Sequence, residues 1–288
     1  MKTGFLSPAD KYALPYPHKL FSKGGMILKR NALLLRRRAI LHALTMVAAV
    51  VIIFWAVNTP SVVGVSASRR ELPVYCVQQK EKIAALSFDA AWGNEDTQTL
   101  IDILNQYGIN TTFFVVGDWV DRYPESVRAL AEAGNEVMNH SSSHAHFSSL
   151  SSSEITADIS ACNDKIEAVT GIRPTLFRCP YGEYDDHVIK AVNSLGMTAV
   201  QWDVDSLDWK NYGVDSIVST VLNHPHLGNG SIILMHNGAK YTKDALPLVI
   251  DGLQKKGFEI VPISQLIYQS DYEMDHEGRQ HLIHSNHS

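Results

Sequence analysis

The chain has 288 residues, 45% of them hydrophobic, and a formal net charge of -5. That is length for one large domain or two small ones, with enough apolar matter to exclude a disordered chain. Residues 1–38 carry nine Lys/Arg against the single Asp10, a net of +8, which leaves -13 on the remainder. So acidic a body lacks the clustered cations that a phosphate backbone requires, and nucleic acid is excluded as a partner.

The basic leader, residues 1–38, runs into AILHALTMVAAVVIIFWAVN, residues 39–58, which holds no formal charge and has the length of a bilayer-spanning helix. Cations on its N-terminal side stay cytoplasmic, which predicts a single-pass cell-membrane anchor with everything after Asn58 outside. A signal peptide cleaved at VSA, Val65–Ala67, would instead give a secreted protein, and a buried soluble helix is a third reading. Residues 59–80 read as an extended stem. Cys76, Cys162 and Cys179 have no paired spacing; a Cys162–Cys179 bridge stays open, and no structural role is predicted for the thiols.

From Lys82 the pattern alternates. Apolar, β-rich runs occur at KIAALSF, NTTFFVVG, NEVMNH, TLFRC, MTAVQW, SIILMH and FEIVPI. Between them, apolar spacing of three and four predicts helices over Thr97–Tyr107, Pro124–Ala133, Ser152–Thr170, Asp186–Leu195, Val214–Asn223 and Thr242–Lys256. SSSEITADI supplies a Ser N-cap with an acid in the first turn. Seven strands alternating with six helices imply an α/β fold with a parallel sheet, either a small barrel or a doubly wound sheet. This domain is expected over residues 81–268, followed by a polar His-rich tail, residues 269–288. The tail's His276, His281, His284 and His287 could bind metal, although polar ends are usually mobile.

Polar residues cluster where these strands end. Asp89 follows AALSF; His140 opens HSSSH, which closes on His144; Arg178 follows TLF in RCPYG; Asp205 and Asp208 lie in DVDSLDW; His236 ends SIILMH. In a parallel barrel the strands' carboxyl ends meet at one face, so these residues converge. Two imidazoles four apart can share one metal on a tight loop, against the bland reading of a surface pair in a Ser-rich loop. Asp205 or Asp208 could reach His236 and hold its tautomer, as a general acid requires. Arg178 after a buried strand needs an anionic partner, and Asp89 is the candidate.

In that order, SFDAAWG, HSSSH, RCPYG, DSLDW and LMH resemble the five motifs of the polysaccharide deacetylases, the family 4 carbohydrate esterases with a NodB-type domain. The resemblance spans about Lys82 to Ile267, and the FDAAWG variant with an anchor and stem looks most like the sporulation-associated PdaB-like branch. It implies a distorted (β/α) barrel that removes N-acetyl groups from amino sugars of a cell-wall glycan, peptidoglycan first among them. It also implies a divalent metal, zinc expected, on His140 and His144. Asp89 would be the base, Arg178 its orienting partner and Tyr181 the backbone N–H donor to the oxyanion. Asp208 would tune His236, the acid for the leaving amine, while Trp209 and Leu234 wall the acetyl pocket.

One position departs. The family has a second aspartate as third metal ligand, and here it is Ala90. A catalytic zinc usually takes three protein ligands, so the site is expected to be weakened. Three readings follow: a working hydrolase, a glycan-binding module without turnover, or a hydrolase using a serine of HSSSH. The last lacks a nucleophile elbow.

Overall fold

In a computed structural model of the chain, residues 24–58 and 70–283 are described. The leader up to residue 23, residues 59–69 of the stem with the VSA site, and His284 and His287 lie outside the described residues. The chain divides into two units, Met1–Arg69 and Arg70–Ser288.

Among the described residues the first unit holds one helix, α1 (Gly24–Asn58), which begins well before the apolar run. Within it, Leu33–Trp55 is 23 residues long and apolar enough to cross a membrane. At 1.5 Å per residue this stretch spans about 35 Å, against about 30 Å for a hydrocarbon core.

In the second unit, β2 (Ile83–Ala90) is almost wholly buried because both its faces are covered. Leu86, Phe88 and Ala90 face one apolar cluster with helical residues such as Leu100, Leu104, Val127 and Leu253. Ala85 joins a second cluster with Phe114, Leu176, Val200 and Ile232. The alternation follows from the two-residue period of a strand, and it turns Ser87 and Asp89 inward with Ala85. Around β2 the chain lays down α2 (Thr97–Tyr107), β3 (Thr112–Val115), α3 (Gly117–Arg122), α4 (Pro124–Glu132), β4 (Glu136–Asn139), α5 (Ser152–Thr170) and β5 (Leu176–Phe177). Then come α6 (Asp186–Ser194), β6 (Thr198–Ala199), β7 (Val204–Asp205), α7 (Val214–Leu222), β8 (Ile232–His236), α8 (Thr242–Lys255) and β9 (Glu259–Ile260). The strand order is β6-β5-β4-β3-β2-β8-β7, with β9 also on β2, and each pairing is parallel. All seven expected strands and all six expected helices form. α5 carries the anticipated capping box of Ser151 and Glu154 and stops at Gly171, whose φ of 74° suits glycine.

The sheet is a half-barrel: no ladder joins β6 to β7 among the described residues. Residues 70–80 of the expected stem and 269–283 of the expected tail belong to this unit instead. Val74 bridges Val200, and Cys76 bridges Ser231, so the segment before β2 lies between β6 and β8. After α9 (Ile263–Leu266), strands β10 (Tyr272–Met274) and β11 (Arg279–Leu282) form a three-stranded sheet with β1 (Cys76–Val77), in the order β1-β11-β10. Residues 269–283 of the tail are therefore ordered where mobility was expected. Gln280 is fully buried there and exchanges two hydrogen bonds with the Tyr268 backbone, at 2.8 and 3.0 Å. His281 Nε2 is paired with Asp275 Oδ2 at 2.8 Å. All three thiols are free, so no bridge joins Cys162 to Cys179. They pack as small apolar side chains, a role not predicted for them.

Candidate active site

A cavity of about 470 Å³ opens at the carboxyl ends of β2, β4, β5, β7 and β8, and Asp89, His140, His144, Tyr181, Trp209, Leu234 and His236 line it. Arg178 and Asp208 lie behind it, fully buried. Convergence at this face is what a parallel sheet imposes. Asp205 and Asp208 arrive from the short strand β7, not from the run MTAVQW as their sequence order implied.

Arg178 and Asp89 form the deepest pair. Arg178 Nη1 donates to Asp89 Oδ1 at 2.8 Å. Its Nη2 donates to Ser87 Oγ at 2.9 Å and to the Gln201 carbonyl at 3.2 Å. Ser87 Oγ donates onward to the Ile233 carbonyl at 2.8 Å, and the guanidinium lies 4.1 Å from the Phe114 ring centroid. Burial pushes the Asp89 carboxyl up, but His140 and Arg178 beside it outweigh that and hold it below the usual carboxylate range. Asp89 is therefore an ionised, oriented carboxylate. Ser87 and Gln201 escaped the sequence reading; the alternation in β2 that turns Asp89 inward was the available signal for Ser87.

Across the pocket, His236 Nδ1 and Asp208 Oδ1 are 2.7 Å apart. Asp208 Oδ2 accepts from the His236 backbone N–H at 2.8 Å and from Thr242 Oγ1 at 2.5 Å. Burial alone would lower the His236 pKa, but the Asp208 hydrogen bond and charge reverse it, so the imidazole titrates above its ordinary value. The remaining carboxylate, Asp205, lines the pocket and is pushed up by burial. Of the two acids proposed for His236, Asp208 is its partner.

HSSSH is a built turn. Ser141 N–H donates to Asn139 Oδ1 at 2.7 Å, His144 N–H to Ser141 Oγ at 2.8 Å, and Ser142 N–H to Asp158 Oδ1 at 2.7 Å. Ser141 and His144 take left-handed backbone angles, φ 72° and 57°; Tyr181 (59°) and Leu207 (54°) do so in neighbouring site loops. Each such residue costs on the order of 1–3 kcal/mol, and such strain tends to gather at functional sites. The His140 and His144 ring centroids are 4.9 Å apart. His140 Nδ1 lies 2.9 Å from the Arg178 carbonyl, which fixes Nδ1 as the donor and leaves the Nε2 lone pair for a ligand. Burial keeps His140 neutral and pushes His144 down to about 4, so both imidazoles are unprotonated at neutral pH.

The donors stop there. Ala90 is fully buried in the helix-facing cluster, on the opposite side of β2 from Asp89. Among the described residues no three His, Cys, Asp or Glu side chains form a metal-binding group. The residues present suit zinc in kind and fall short of a complete catalytic centre in number. The sequence reading also passed over two further lining residues, Trp92 and Trp202.

The half-barrel and this paired arrangement define the class of α/β protein built around one pocket at its strand ends. The chain belongs to the polysaccharide deacetylase family, whose pattern matches residues 77–200. It is 34% identical over 196 residues to a chitooligosaccharide deacetylase of Bradyrhizobium, covering 63% of this chain and 89% of that protein. It is 37% identical over 190 residues to the peptidoglycan-N-acetylmuramic acid deacetylase PdaC of Bacillus subtilis, covering 66% of this chain. Here the match spans only 40% of the relative's length. A crystal structure described as a CE4 family pseudoenzyme from Bacillus anthracis is similar at 31% identity and a TM-score of 0.66, covering 69% of this chain and 71% of the other.

Proposed function

We propose that this chain removes N-acetyl groups from amino sugars of a cell-wall glycan, peptidoglycan being the expected polymer. The observation that carries the reading is the pair of dyads, Asp89–Arg178 and Asp208–His236, facing one pocket. Asp89 takes a proton from water, whose oxygen attacks the acetyl carbonyl carbon. The Tyr181 backbone N–H donates to the oxyanion, and Trp209 and Leu234 enclose the methyl group. His236, charged and held by Asp208, gives its proton to the nitrogen as the C–N bond breaks, which yields acetate and a free amine. A divalent ion, zinc expected, would rest on His140 and His144 and would supply Lewis-acid polarisation of the acetyl carbonyl.

The relatives' names support peptidoglycan as substrate. The sporulation role and the PdaB-like branch rest on the FDAAWG resemblance, and a single-pass anchor at residues 39–58 places the domain outside the cell. Acetate release from N-acetylated peptidoglycan by the purified full-length chain, assayed with and without zinc, tests the reading. No acetate under any metal, with the chain folded, rejects it.

Ala90 favours a second reading: a module that binds glycan without turnover. The resemblance to a pseudoenzyme supports this alternative. It predicts glycan binding that survives Asp89→Asn while no acetate appears from the unaltered chain.

A further inference from the structure

Trp92 has no part in the steps above. Its indole is stacked on the His236 imidazole, with ring centroids 5.2 Å apart and planes 20° from parallel, although 47% of the residue is exposed. An exposed tryptophan keeps such a place only if its backbone is held, and here it is held from both loops. The Gly93 carbonyl accepts from Trp119 Nε1 at 3.2 Å and from Asn237 Nδ2 at 2.9 Å. Asn237, the residue after His236, accepts from Thr97 Oγ1 at 2.8 Å, and its backbone N–H donates to the Asp89 carbonyl at 3.0 Å. Gly238 N–H donates to Asp96 Oδ1 and Oδ2 at 2.9 and 3.0 Å. With φ of +86°, Gly238 leaves little space for a side chain: a Cβ there would lie 3.2 Å from Gly93 N and 3.3 Å from Trp92 Cβ. The loop after β2 and the loop after β8 are thus joined by side chains that neither bind nor transform a substrate.

We propose that Trp92 is a positioning residue for His236, a lid on one imidazole face that keeps the ring in the plane set by Asp208. Asp208 anchors one nitrogen, and a single anchored ring can still rock about that bond; the indole removes the motion. The aromatic face also attracts the charged form of the ring, which already faces Asp208, Asp205 and Asp89. The proposal rests on the reading of His236 as the acid for the leaving amine.

The test uses the full-length chain with Trp92→Leu, Trp92→Met and Trp92→Phe. By NMR, the His236 Nδ1–H resonance bonded to Asp208 is expected to broaden or vanish in the Leu and Met variants and to persist in Phe. With an N-acetylated glycan, kcat is expected to fall on the order of tenfold to a hundredfold in Leu and Met at nearly constant KM, and Phe to restore most of it. An unchanged resonance in the Leu variant overturns the proposal. So does a raised KM at constant kcat, which would assign the indole to sugar stacking, or unfolding of both the Leu and Met variants, which would assign it to folding. If the unaltered chain releases no acetate, the proposed function fails, while the resonance still decides the role of Trp92.

Discussion

Asp89 and His236 stand side by side at one level of the sheet, paired in register on the parallel strands β2 and β8. The proposed base and acid therefore come from adjacent strands, and their opposite tuning arises from what lies behind each. A buried guanidinium backs the carboxylate, and a buried carboxylate backs the imidazole. Neighbouring positions in one sheet thus have their pKa values moved in opposite directions, the carboxyl down and the imidazole up.

Replacing Asp89 by Asn removes the proton acceptor and leaves Arg178 buried without an anionic partner. Loss of one partner from a buried pair costs about 3–5 kcal/mol. Urea denaturation is expected to show a loss of that size, with acetate release abolished. A variant as stable as the parent would mean that the pair contributes nothing to the fold.

The pH profile follows from the directions of the two shifts. Asp89 lies below the usual carboxylate value of about 3.9 and His236 above about 6.5. The base is therefore ionised and the acid protonated from mildly acidic pH up to beyond the ordinary histidine range. Activity is expected to decline as pH rises through the His236 titration. Asp208→Asn should move that alkaline limb to lower pH and cut kcat on the order of a hundredfold. An alkaline limb that stays where it was would detach Asp208 from the titration. The same shift bears on stability: the raised His236 pKa contributes below its unfolded value, and that contribution is lost as pH rises through the folded one.

Ala90→Asp places a carboxylate among Phe88, Val115 and Trp119. In metal-free protein it is expected to cost about 1–3 kcal/mol, the penalty of an unsatisfied buried polar group. Only by leaving that cluster could the new carboxylate supply the third donor that His140 and His144 lack; if it does so, zinc should stabilise the variant more than the parent. Thermal unfolding with and without zinc reads both effects. A variant more stable than the parent in the absence of metal would contradict the burial of position 90.

Gln280→Ala removes two hydrogen bonds that the buried Gln280 side chain makes with the Tyr268 backbone, with an expected loss of about 1–3 kcal/mol. Denaturant titration that shows no change would mean that β11 is not part of the domain's cooperative unit.

The resemblance to deacetylases, seven of the eight strands of the central sheet and the residues Asp89, His140, Arg178 and His236 were legible because these strands are apolar runs and these residues stand at their ends, whereas β7, which carries Asp205 and leads to Asp208, was too short to read. Such signals are local, and in a parallel sheet the ends of those runs have one place to go. β1 escaped because its ladder to β11 joins residues about 200 positions apart, Cys76 with Arg279 and Val77 with Gln280, and the β10–β11 hairpin escaped because its strands are short. The largely polar composition of β10 and β11 carries no period of its own. The same limit hid Trp92 and Ser87, whose roles come from His236 and Arg178 on distant strands. By itself the sequence determined which side chains end the strands and that position 90 has no carboxylate. Only the tertiary structure decided that Asp208 rather than Asp205 holds His236, that Ala90 faces the helices, and that the supposed stem and tail pair with each other, because each depends on chain segments meeting across the fold rather than along it.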